Sequence, residues 1–289
     1  MNSLIADNKV SSLQEYLSAQ LSARYDQRES ANIIAELFRH YKNWNRADVL
    51  MNRDSRVTES ELLQFHFAAK RLAKGEPLQY ILGTAWFRGL EFKVNKDVLI
   101  PRPETEELVK LIIDRNQNSA PSILDIGTGS GCIAISLKKE IPAAKVSAVD
   151  VSESALAVAK ENSVKNNVDV NFILQDVLTT DFGSNQFDIV VSNPPYIPEK
   201  DKDEMREQVL NHEPHLALFV PDENALLFYN RIIEIAMKHL SLNGKVFCEI
   251  HERMETALTE ELQKNNITNF EFINDMQGKT RMLYFSLSN

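Results

Sequence analysis

The stretch Asp125-Ile126-Gly127-Thr128-Gly129-Ser130-Gly131 decides the fold, because it separates an apolar strand pattern from a helical pattern that begins at Cys132. Glycines at such a junction let the chain turn sharply and let a ligand approach the backbone. A dinucleotide fingerprint needs a further glycine at GxGxxG spacing, and Cys132 occupies that position. The stretch therefore predicts a ligand-binding turn, and its spacing argues against a nicotinamide dinucleotide.

Beyond Pro121, strand patterns and helix patterns alternate along the chain. The predicted strands are 122–126, 145–150, 170–174, 187–192, 245–250, 269–273 and 281–287, with helices at 132–139, 153–166 and 223–240. This alternation predicts an α/β fold whose seven-stranded, Rossmann-like sheet is mostly parallel and is covered on both faces. About seven residues join the final two strands, too few for a parallel crossover, so the last strand should be antiparallel.

The residues before this region have a helical pattern. Apolar periodicity predicts short amphipathic helices at 13–21, 31–41, 47–52 and 59–72. Thr58 and Glu61 form a capping box at the start of the last helix, and Gly75 ends it. Aromatic and β-branched residues from Gln79 to Asn95 predict a hairpin. We therefore predict three parts: a helical domain over 1–74, a linker with a β-hairpin over 75–98, and a ligand-binding domain over 99–289.

Composition and charge limit the possible functions. With 43% hydrophobic and 25% charged residues, the chain has the composition of an ordinary globular protein. Residues 1–93 hold 13 Lys and Arg against 11 Asp and Glu, net +2, whereas the remainder holds 19 against 30, net −11. Duplex DNA binds largely through phosphate neutralisation, so the acidic carboxyl-terminal part argues against nucleic acid as a partner.

Cysteine usage and the amino terminus indicate the compartment. Cys132 and Cys248 lie in apolar surroundings, which predicts reduced, buried thiols rather than a disulfide or a metal site. The segment His212-Glu213-Pro214-His215 lacks further Cys or His partners, so we interpret it as a solvated loop and expect no metal. The chain has no signal-peptide pattern and no apolar run near the ~18 residues of a membrane span. We therefore expect a cytoplasmic protein without a membrane partner.

Two further acidic side chains lie at or just beyond the ends of predicted strands. Asp150 ends the second strand, where a carboxylate can accept both ribose hydroxyls of a nucleoside. Asp176 follows the third strand and can accept the adenine amino group, with Val177 against the ring. An Asp at a strand end is also commonly a helix cap. The GxGxG spacing after Asp125 nevertheless resembles the cofactor loop of the Rossmann-like methyltransferases, which implies S-adenosyl-L-methionine as the cofactor.

A second motif, Asn193-Pro194-Pro195-Tyr196, directly follows the fourth predicted strand. Two prolines end the strand and stiffen the turn, so the Asn193 side chain and the Pro194 carbonyl can both accept from a planar NH2 group. Tyr196 can lie over the flat face of that group. An amide nitrogen is a poor nucleophile, and acceptors on both N–H groups stabilise the positive charge that it gains on methylation. We predict that Asn193–Tyr196 are catalytic, that Asn193 also borders the cofactor, and that no general base is needed.

The segments on either side of these motifs have recognisable patterns. In Leu99-Ile100-Pro101-Arg102-Pro103-Glu104-Thr105-Glu106, each proline pushes its predecessor to extended geometry, so a helix should begin near Pro103 or Glu104. The simplest explanation of Glu104 and Glu106 is then that they are acidic residues in the first helical turn, where they interact favourably with the helix dipole. Residues 197–216 form a long, charged loop, and loops at that position are often lids.

The chain resembles the release-factor glutamine methyltransferases over nearly its whole length. The likeness is carried by the helical N-terminal domain, Gly75-Glu76-Pro77, residues 99–106, Asp125–Gly131, Asn193–Tyr196 and Glu213-Pro214. The resemblance implies a class I methyltransferase sheet and transfer of a methyl group to the glutamine of the Gly-Gly-Gln motif in peptide chain release factors. It also implies that Asn193–Tyr196 hold the glutamine amide. We expect the mildly basic helical domain to dock the release factor.

Three other functions remain open at this point. An adenine-N6 nucleic-acid methyltransferase would fit the same acceptors after base flipping, but it needs a basic or aromatic-rich target-recognition region that the sequence lacks. A glutamine methyltransferase acting on a ribosomal protein would use the same site. A nucleotide-binding module or NAD-dependent dehydrogenase is disfavoured by Cys132 and by the Asn193–Tyr196 motif.

Overall fold

The computed structural model describes residues 7–179 and 181–287. These residues form two compact units. Unit 1 contains the chain through Gly83 together with Arg206–His212, and unit 2 contains Thr84–Met205 and the chain from Glu213 onward. No helix among the described residues is long and apolar enough to cross a membrane.

Unit 1 is helical, as the apolar periodicity predicts. Its first helices are α1 (Val10–Leu21), α2 (Gln27–Lys42), α3 (Arg46–Met51), α4 (Glu59–Ala73) and α5 (Leu78–Leu82). The core between them is built from fully buried side chains such as Leu17, Phe38 and Phe65. The capping box at the start of α4 is confirmed: Glu61 N donates to Thr58 Oγ1 at 3.2 Å, and Thr58 N donates to Glu61 Oε2 at 2.8 Å.

The hairpin that we predict over 79–95 begins later than expected. Strands β1 (Thr84–Phe87) and β2 (Leu90–Lys93) pair antiparallel around Arg88 and Gly89, both of which have positive φ. The residues before β1 form α5 instead, because the Pro77 carbonyl accepts from the backbone N–H groups of Tyr80 and Ile81 and so starts a helical turn. The hairpin is therefore confirmed, and its predicted start is wrong.

Unit 2 contains the predicted seven-stranded sheet. Its strands lie in the order β10 (Asn269–Asn274), β11 (Thr280–Ser286), β9 (Leu240–Glu249), β6 (Phe187–Ser192), β3 (Ser122–Ile126), β4 (Lys145–Asp150) and β5 (Asn171–Leu174). Strand β11 is antiparallel to both of its neighbours, and all other pairs in this sheet are parallel. The predicted fold class, including the antiparallel last strand, is confirmed.

Both faces of the sheet are covered, as predicted. The remaining helices are α6 (Pro103–Arg115), α7 (Cys132–Glu140), α8 (Glu153–Lys165), α9 (Glu207–His212, in unit 1), α10 (Leu227–His239) and α11 (Glu255–Lys264). Neighbouring strand residues belong to different buried clusters: Val191 packs with α6 and α7, whereas Val190 packs with α10 and α11. This alternation follows from the two-residue period of a strand, which directs successive side chains to opposite faces.

The segment after the fourth predicted strand is more ordered than a simple loop. Strand β7 (Ile197–Pro198) pairs in parallel with β8 (Phe219–Val220), which brings the ends of the intervening segment together. Between them lie short 3-10 turns and α9. The predicted helix 223–240 is shorter than expected, since α10 begins at Leu227 and Leu240 already belongs to β9.

Candidate functional site

The register of the sheet brings the key residues to one edge. Ile126 of β3 pairs with Ser192 of β6, and Ser192 pairs with Cys248 of β9. Ser192 Oγ also donates to the Ile126 carbonyl at 2.8 Å, which ties the two strand ends together. The residues that follow, Gly127, Asn193 and Glu249, therefore emerge side by side at the carboxyl edge of a parallel sheet, where ligands bind in open α/β folds.

The glycine loop has an open side and a packed side. Gly127, Gly129 and Gly131 have φ of +71°, +54° and +81°, values that L side chains adopt only with strain. A Cβ added at Gly127 or Gly129 would meet nothing within 4 Å, whereas one at Gly131 would lie 2.9 Å from Ile135 Cδ1 and 3.2 Å from Ala159 Cβ. The first two glycines thus leave space beside the backbone, and the third lets α7 and α8 approach.

A cavity of about 270 Å³ lies against this edge within unit 2. Among the residues predicted to act, those that line it are Gly127, Gly129, Asp150, Asp176, Val177, Asn193, Pro194 and Pro195. The cavity wall also includes Leu99 from the proline-rich segment, Leu216 from the segment between β7 and β8, and Phe228 from α10. Residues predicted from two separate motifs are therefore brought to one cavity.

Five predicted residues do not line this cavity. Asp125, Thr128, Ser130 and Gly131 are the buried members of the glycine loop, and the half-buried Tyr196 lies beyond Pro195. Two of them connect the loop to the sheet: Thr128 Oγ1 donates to Asp125 Oδ2 at 2.6 Å, which fastens the loop to the end of β3. Asp125 is completely buried, and this burial raises the pKa of its carboxyl to about 7.

Asp150 and Asp176 each hold a turn of the cavity wall. Asp150 accepts from the backbone N–H of Gly129 at 2.8 Å and from that of Ser152 at 2.9 Å, using a different oxygen for each. Burial raises the pKa of Asp150, and these two backbone donors oppose the shift. Asp176 is exposed and accepts from Leu178 N at 2.9 Å. Because each carboxylate oxygen has two lone pairs, Asp150 retains acceptor capacity toward a ligand.

The Asn193 side chain is held by residues to which the sequence analysis assigns no role in the site. Asn193 Nδ2 donates to Thr105 Oγ1 at 3.1 Å, and Thr105 Oγ1 donates to Glu249 Oε2 at 2.6 Å. The other oxygen of Glu249 accepts from the Tyr196 hydroxyl at 3.4 Å. Four side chains from three distant parts of the chain thus form one connected network beside the cavity.

Glu249 is the most unusual member of this network. It is 3% exposed, and its burial raises the pKa of the carboxyl to about 7, against the lowering effect of the Thr105 hydroxyl. Burial also raises the pKa of Tyr196 well above its ordinary value. Neither Thr105 nor Glu249 is among the residues that the sequence predicts. The available signal was the same one that identifies Asp150: an acidic residue at the carboxyl end of an apolar strand.

Glu213 corrects the prediction of a solvated loop around His212–His215. Its carboxylate is 2% exposed, accepts from Arg102 Nη2 at 2.5 Å and accepts from the backbone N–H of Ile100 at 3.3 Å. The local composition is polar, but the ion pair joins this segment to the proline-rich stretch that borders the cavity. Glu213 is therefore buried rather than solvated. Within the described ranges 7–179 and 181–287, no group of three or more His, Cys, Asp or Glu side chains could hold a metal ion.

Family models match both parts of the chain. The model described as the PrmC N-terminal domain matches residues 12–83, and the Methyltransferase small domain matches residues 105–217. Among solved structures, the hMettl16 catalytic domain superimposes with a TM-score of 0.59 at 19% identity, covering 90% of this chain and 91% of that one. A methyltransferase from Pyrococcus furiosus gives a TM-score of 0.52 at 19% identity, covering 80% and 100%. At such identities these likenesses concern the fold alone.

Curated relatives are much more similar in sequence. A release factor glutamine methyltransferase from Flavobacterium psychrophilum is 43% identical over 91% of this chain and 94% of its own length. One from Bacteroides thetaiotaomicron is 46% identical over 82% and 85%, and one from Streptococcus pneumoniae is 40% identical over 92% and 96%. Because they cover most of its length at 40% identity or more, these relatives show that the chain belongs to the release factor glutamine methyltransferase family.

Proposed function

We propose that this protein transfers the methyl group of S-adenosyl-L-methionine to the glutamine side-chain amide in the Gly-Gly-Gln motif of peptide chain release factors. One observation carries the proposal: Asn193, to which we assign the substrate amide, lines the same cavity as Gly127, Gly129 and Asp150. A methyl acceptor held by Asn193 would therefore lie next to a ligand held by the glycine loop. Release factors act in translation termination, so we expect the enzyme to work in the cytoplasm.

The residues around the glycine loop fit the cofactor. S-adenosyl-L-methionine, when bound, supplies a methyl group on a sulfonium that is readily displaced. The space beside Gly127 and Gly129 allows a ligand to approach the backbone closely. We assign Asp150 to the ribose hydroxyls and Asp176 to the adenine amino group, with Val177 against the ring. Asp125, Thr128, Ser130 and Gly131 would hold the loop in shape from behind the cavity wall.

The residues of the second motif fit a planar amide. Because Asn193 Nδ2 donates to Thr105, its Oδ1 is the atom that can accept one substrate N–H. We assign the Pro194 carbonyl to the second N–H. As the new N–C bond forms, the bond between the methyl group and sulfur would break, so positive charge would move from the sulfonium onto the substrate nitrogen, where these two fixed acceptors stabilise it. The methylated nitrogen would then lose one proton to water. We assign Pro195 to the rigidity of the turn and Tyr196 to the face of the amide.

Methylation assays with defined acceptors test this function. The intact protein would be incubated with methyl-labelled cofactor and, separately, with a release factor, a ribosomal protein fraction and duplex or single-stranded DNA. We expect label on the release factor, and mass spectrometry of its peptides should locate it on the Gly-Gly-Gln glutamine. Label found on adenine N6, or on a ribosomal protein but not on the release factor, would overturn the proposal.

We further propose that the helical domain, residues 1–74, docks the release factor. The support is its charge, since residues 1–74 hold 11 Lys and Arg against 9 Asp and Glu, net +2, in a chain that is net −9. Unit 1 also has a groove of about 770 Å³ lined by Gln14, Tyr25 and Arg46. Replacing Arg46 by Glu should raise KM for an intact release factor and leave KM for a short Gly-Gly-Gln peptide unchanged. Equal effects on both substrates would contradict docking at this groove.

A further inference from the structure

The hydrogen atoms of the Asn193 network can be assigned from chemistry. A Thr hydroxyl carries one hydrogen, and Thr105 Oγ1 lies 2.6 Å from the Glu249 carboxylate, which when ionised can only accept. The single hydrogen of Thr105 therefore points at Glu249. Its lone pairs are left for Asn193, 3.1 Å away, so Asn193 must present its NH2 end to Thr105.

This assignment decides which end of the Asn193 amide faces the cavity. The two ends of an amide have the same shape, and only hydrogen bonding distinguishes oxygen from nitrogen. With NH2 bound to Thr105, the oxygen faces the opposite way and can accept from a substrate. If the amide turned over, its two N–H groups would oppose the N–H groups of the substrate amide, and the acceptor would be lost.

We propose that Glu249 and Thr105 are positioning residues that fix the orientation of the Asn193 amide and so keep its oxygen toward the substrate nitrogen. The inference rests on the proposed function, because it gives Asn193 the role of an acceptor for the substrate N–H. Neither residue needs to touch the substrate. They act through one hydrogen-bond chain from a buried carboxylate to a hydroxyl to an amide.

The charge of Glu249 gives the chain its direction. Once protonated, Glu249 could donate to Thr105, whose hydrogen would then turn toward Asn193 and favour the reversed amide. The polar or titratable groups that face Glu249 are Glu104 and Thr105 from α6, Cys132 from α7, Tyr196 from the turn after β6, Tyr229 from α10, and Arg281 from β11. Burial outweighs the attraction of Arg281, so the carboxyl changes its charge near pH 7 rather than near its ordinary value.

The first test removes the hydroxyl and restores it. Thr105→Val keeps the shape but can neither donate nor accept, and we expect a loss on the order of 10²-fold in the single-turnover methylation rate, as for a misplaced catalytic group. Calorimetric affinity for S-adenosyl-L-methionine should stay at the wild-type level. Thr105→Ser should recover most of the rate, because it restores the hydrogen bonds without the methyl group. Thr256→Val, on the exposed face of α11, is the matched control.

The second test uses the acid limb of the rate. With enzyme saturated by cofactor, the wild-type rate should fall as the pH falls through about 7, because Glu249 becomes protonated. Glu249→Gln cannot change its charge, so the variant should be slower and should lack this acid limb, whereas exposed Glu260→Gln should retain it. An unchanged limb in Glu249→Gln, or Thr105→Val at the wild-type rate, would overturn the inference. Failure of the wild-type protein to methylate release factor would instead contradict the proposed function.

Discussion

Asp125 and Glu249 are two buried carboxyls on either side of β6, one in the glycine loop and the other beside the Asn193–Tyr196 motif. Each accepts from a Thr hydroxyl at 2.6 Å, and burial raises the pKa of each to about 7. They differ in the origin of that hydroxyl. Thr128 lies three positions from Asp125, whereas Thr105 lies 144 positions from Glu249.

The Asp125–Thr128 hydrogen bond is a local contact, whereas the Glu249–Thr105 hydrogen bond is a tertiary contact. Asp125 and Thr128 lie within a single turn, so the residues that stabilise the glycine loop belong to the loop itself. The Glu249 pair exists only after α6 has packed beside β9, so the orientation of Asn193 depends on the completed fold. We therefore expect cofactor binding and methyl transfer to respond differently to substitutions on the two sides.

The largest expected effect separates transfer from cofactor binding. Asn193→Ala should reduce the single-turnover methylation rate by ~10²–10³-fold, because it removes a preorganised acceptor for charge that develops on the substrate nitrogen. Cofactor affinity, measured by calorimetry, should change little. Wild-type transfer by this variant would require the whole interpretation of the motif to be abandoned.

Asn193→Asp sharpens the same point. The substitution preserves the shape of the side chain but replaces the N–H donor that reaches Thr105 Oγ1 with a second oxygen. It also adds negative charge close to Glu249. We expect single-turnover rates nearly as low as for Asn193→Ala, and a rate close to wild type would indicate that the bond to Thr105 does not orient the amide.

On the cofactor side, Asp150→Ala should weaken affinity for S-adenosyl-L-methionine. Loss of two hydrogen bonds from ribose hydroxyls to a charged acceptor corresponds to on the order of 2–4 kcal/mol. Cofactor should then raise the unfolding temperature of wild-type protein and of Asn193→Ala, but much less that of Asp150→Ala at the same concentration. Unchanged affinity in calorimetry would sink the assignment of Asp150.

The dependence of stability on pH compares the two buried carboxyls directly. In the unfolded chain both titrate near pH 4, and in the folded protein near pH 7, so the folded state binds more protons between these values. The free energy of unfolding should therefore fall as the pH rises through this window, by up to ~1.4 kcal/mol per pH unit for each group. The stabilising contribution is complete below pH 4 and is lost as the pH passes 7.

Variants without the titrating carboxyl measure how much each group contributes to the pH dependence of the free energy of unfolding. Asp125→Asn and Glu249→Gln should each gain stability relative to wild type between about pH 5 and pH 8, measured by urea unfolding at several pH values. Similar gains would place the two carboxyls in equivalent environments. Curves for variant and wild type that run parallel would show that the substituted carboxyl does not titrate in this window.

The smallest effect lies in the other unit. Thr58→Ala removes the cap of α4 and should lower the free energy of unfolding by about 1 kcal/mol. The single-turnover rate at saturating cofactor should not change, since Thr58 belongs to unit 1 and the Asn193 network belongs to unit 2. A fall in the rate comparable to that of Thr105→Val would break the separation.

The sequence predicts what is local in this molecule. The alternation of apolar residues gives the sheet and the covering of both its faces, and the capping box at Thr58 and Glu61 gives the start of α4. The glycines of the loop and the prolines of the Asn193–Tyr196 segment each predict the turn that they form. Parallel strands then bring these motifs to one edge, which follows from the alternation of strands and helices.

What the sequence does not predict are side-chain bonds between distant segments. Thr105 reads as a spacer between two first-turn acids, and Glu249 as one more strand-end carboxylate. Glu213 lies in a polar stretch, yet it is buried because Arg102, 111 positions earlier, neutralises it. In each case the partner is fixed by packing of α6 or the proline-rich segment, and no local pattern encodes that distance.

Unit 1 is built from two separate stretches of the chain, and this has a consequence for the exchange of domains between related proteins. The chain enters and leaves this unit around Arg206–His212 as well as at Gly83, and Arg24 forms an ion pair with Glu207 although 183 positions separate them. A recombination event that swapped only the first 83 residues would divide this pair between two parents. We therefore expect the amino-terminal helices and α9 to be inherited together, although separate parts of the gene encode them.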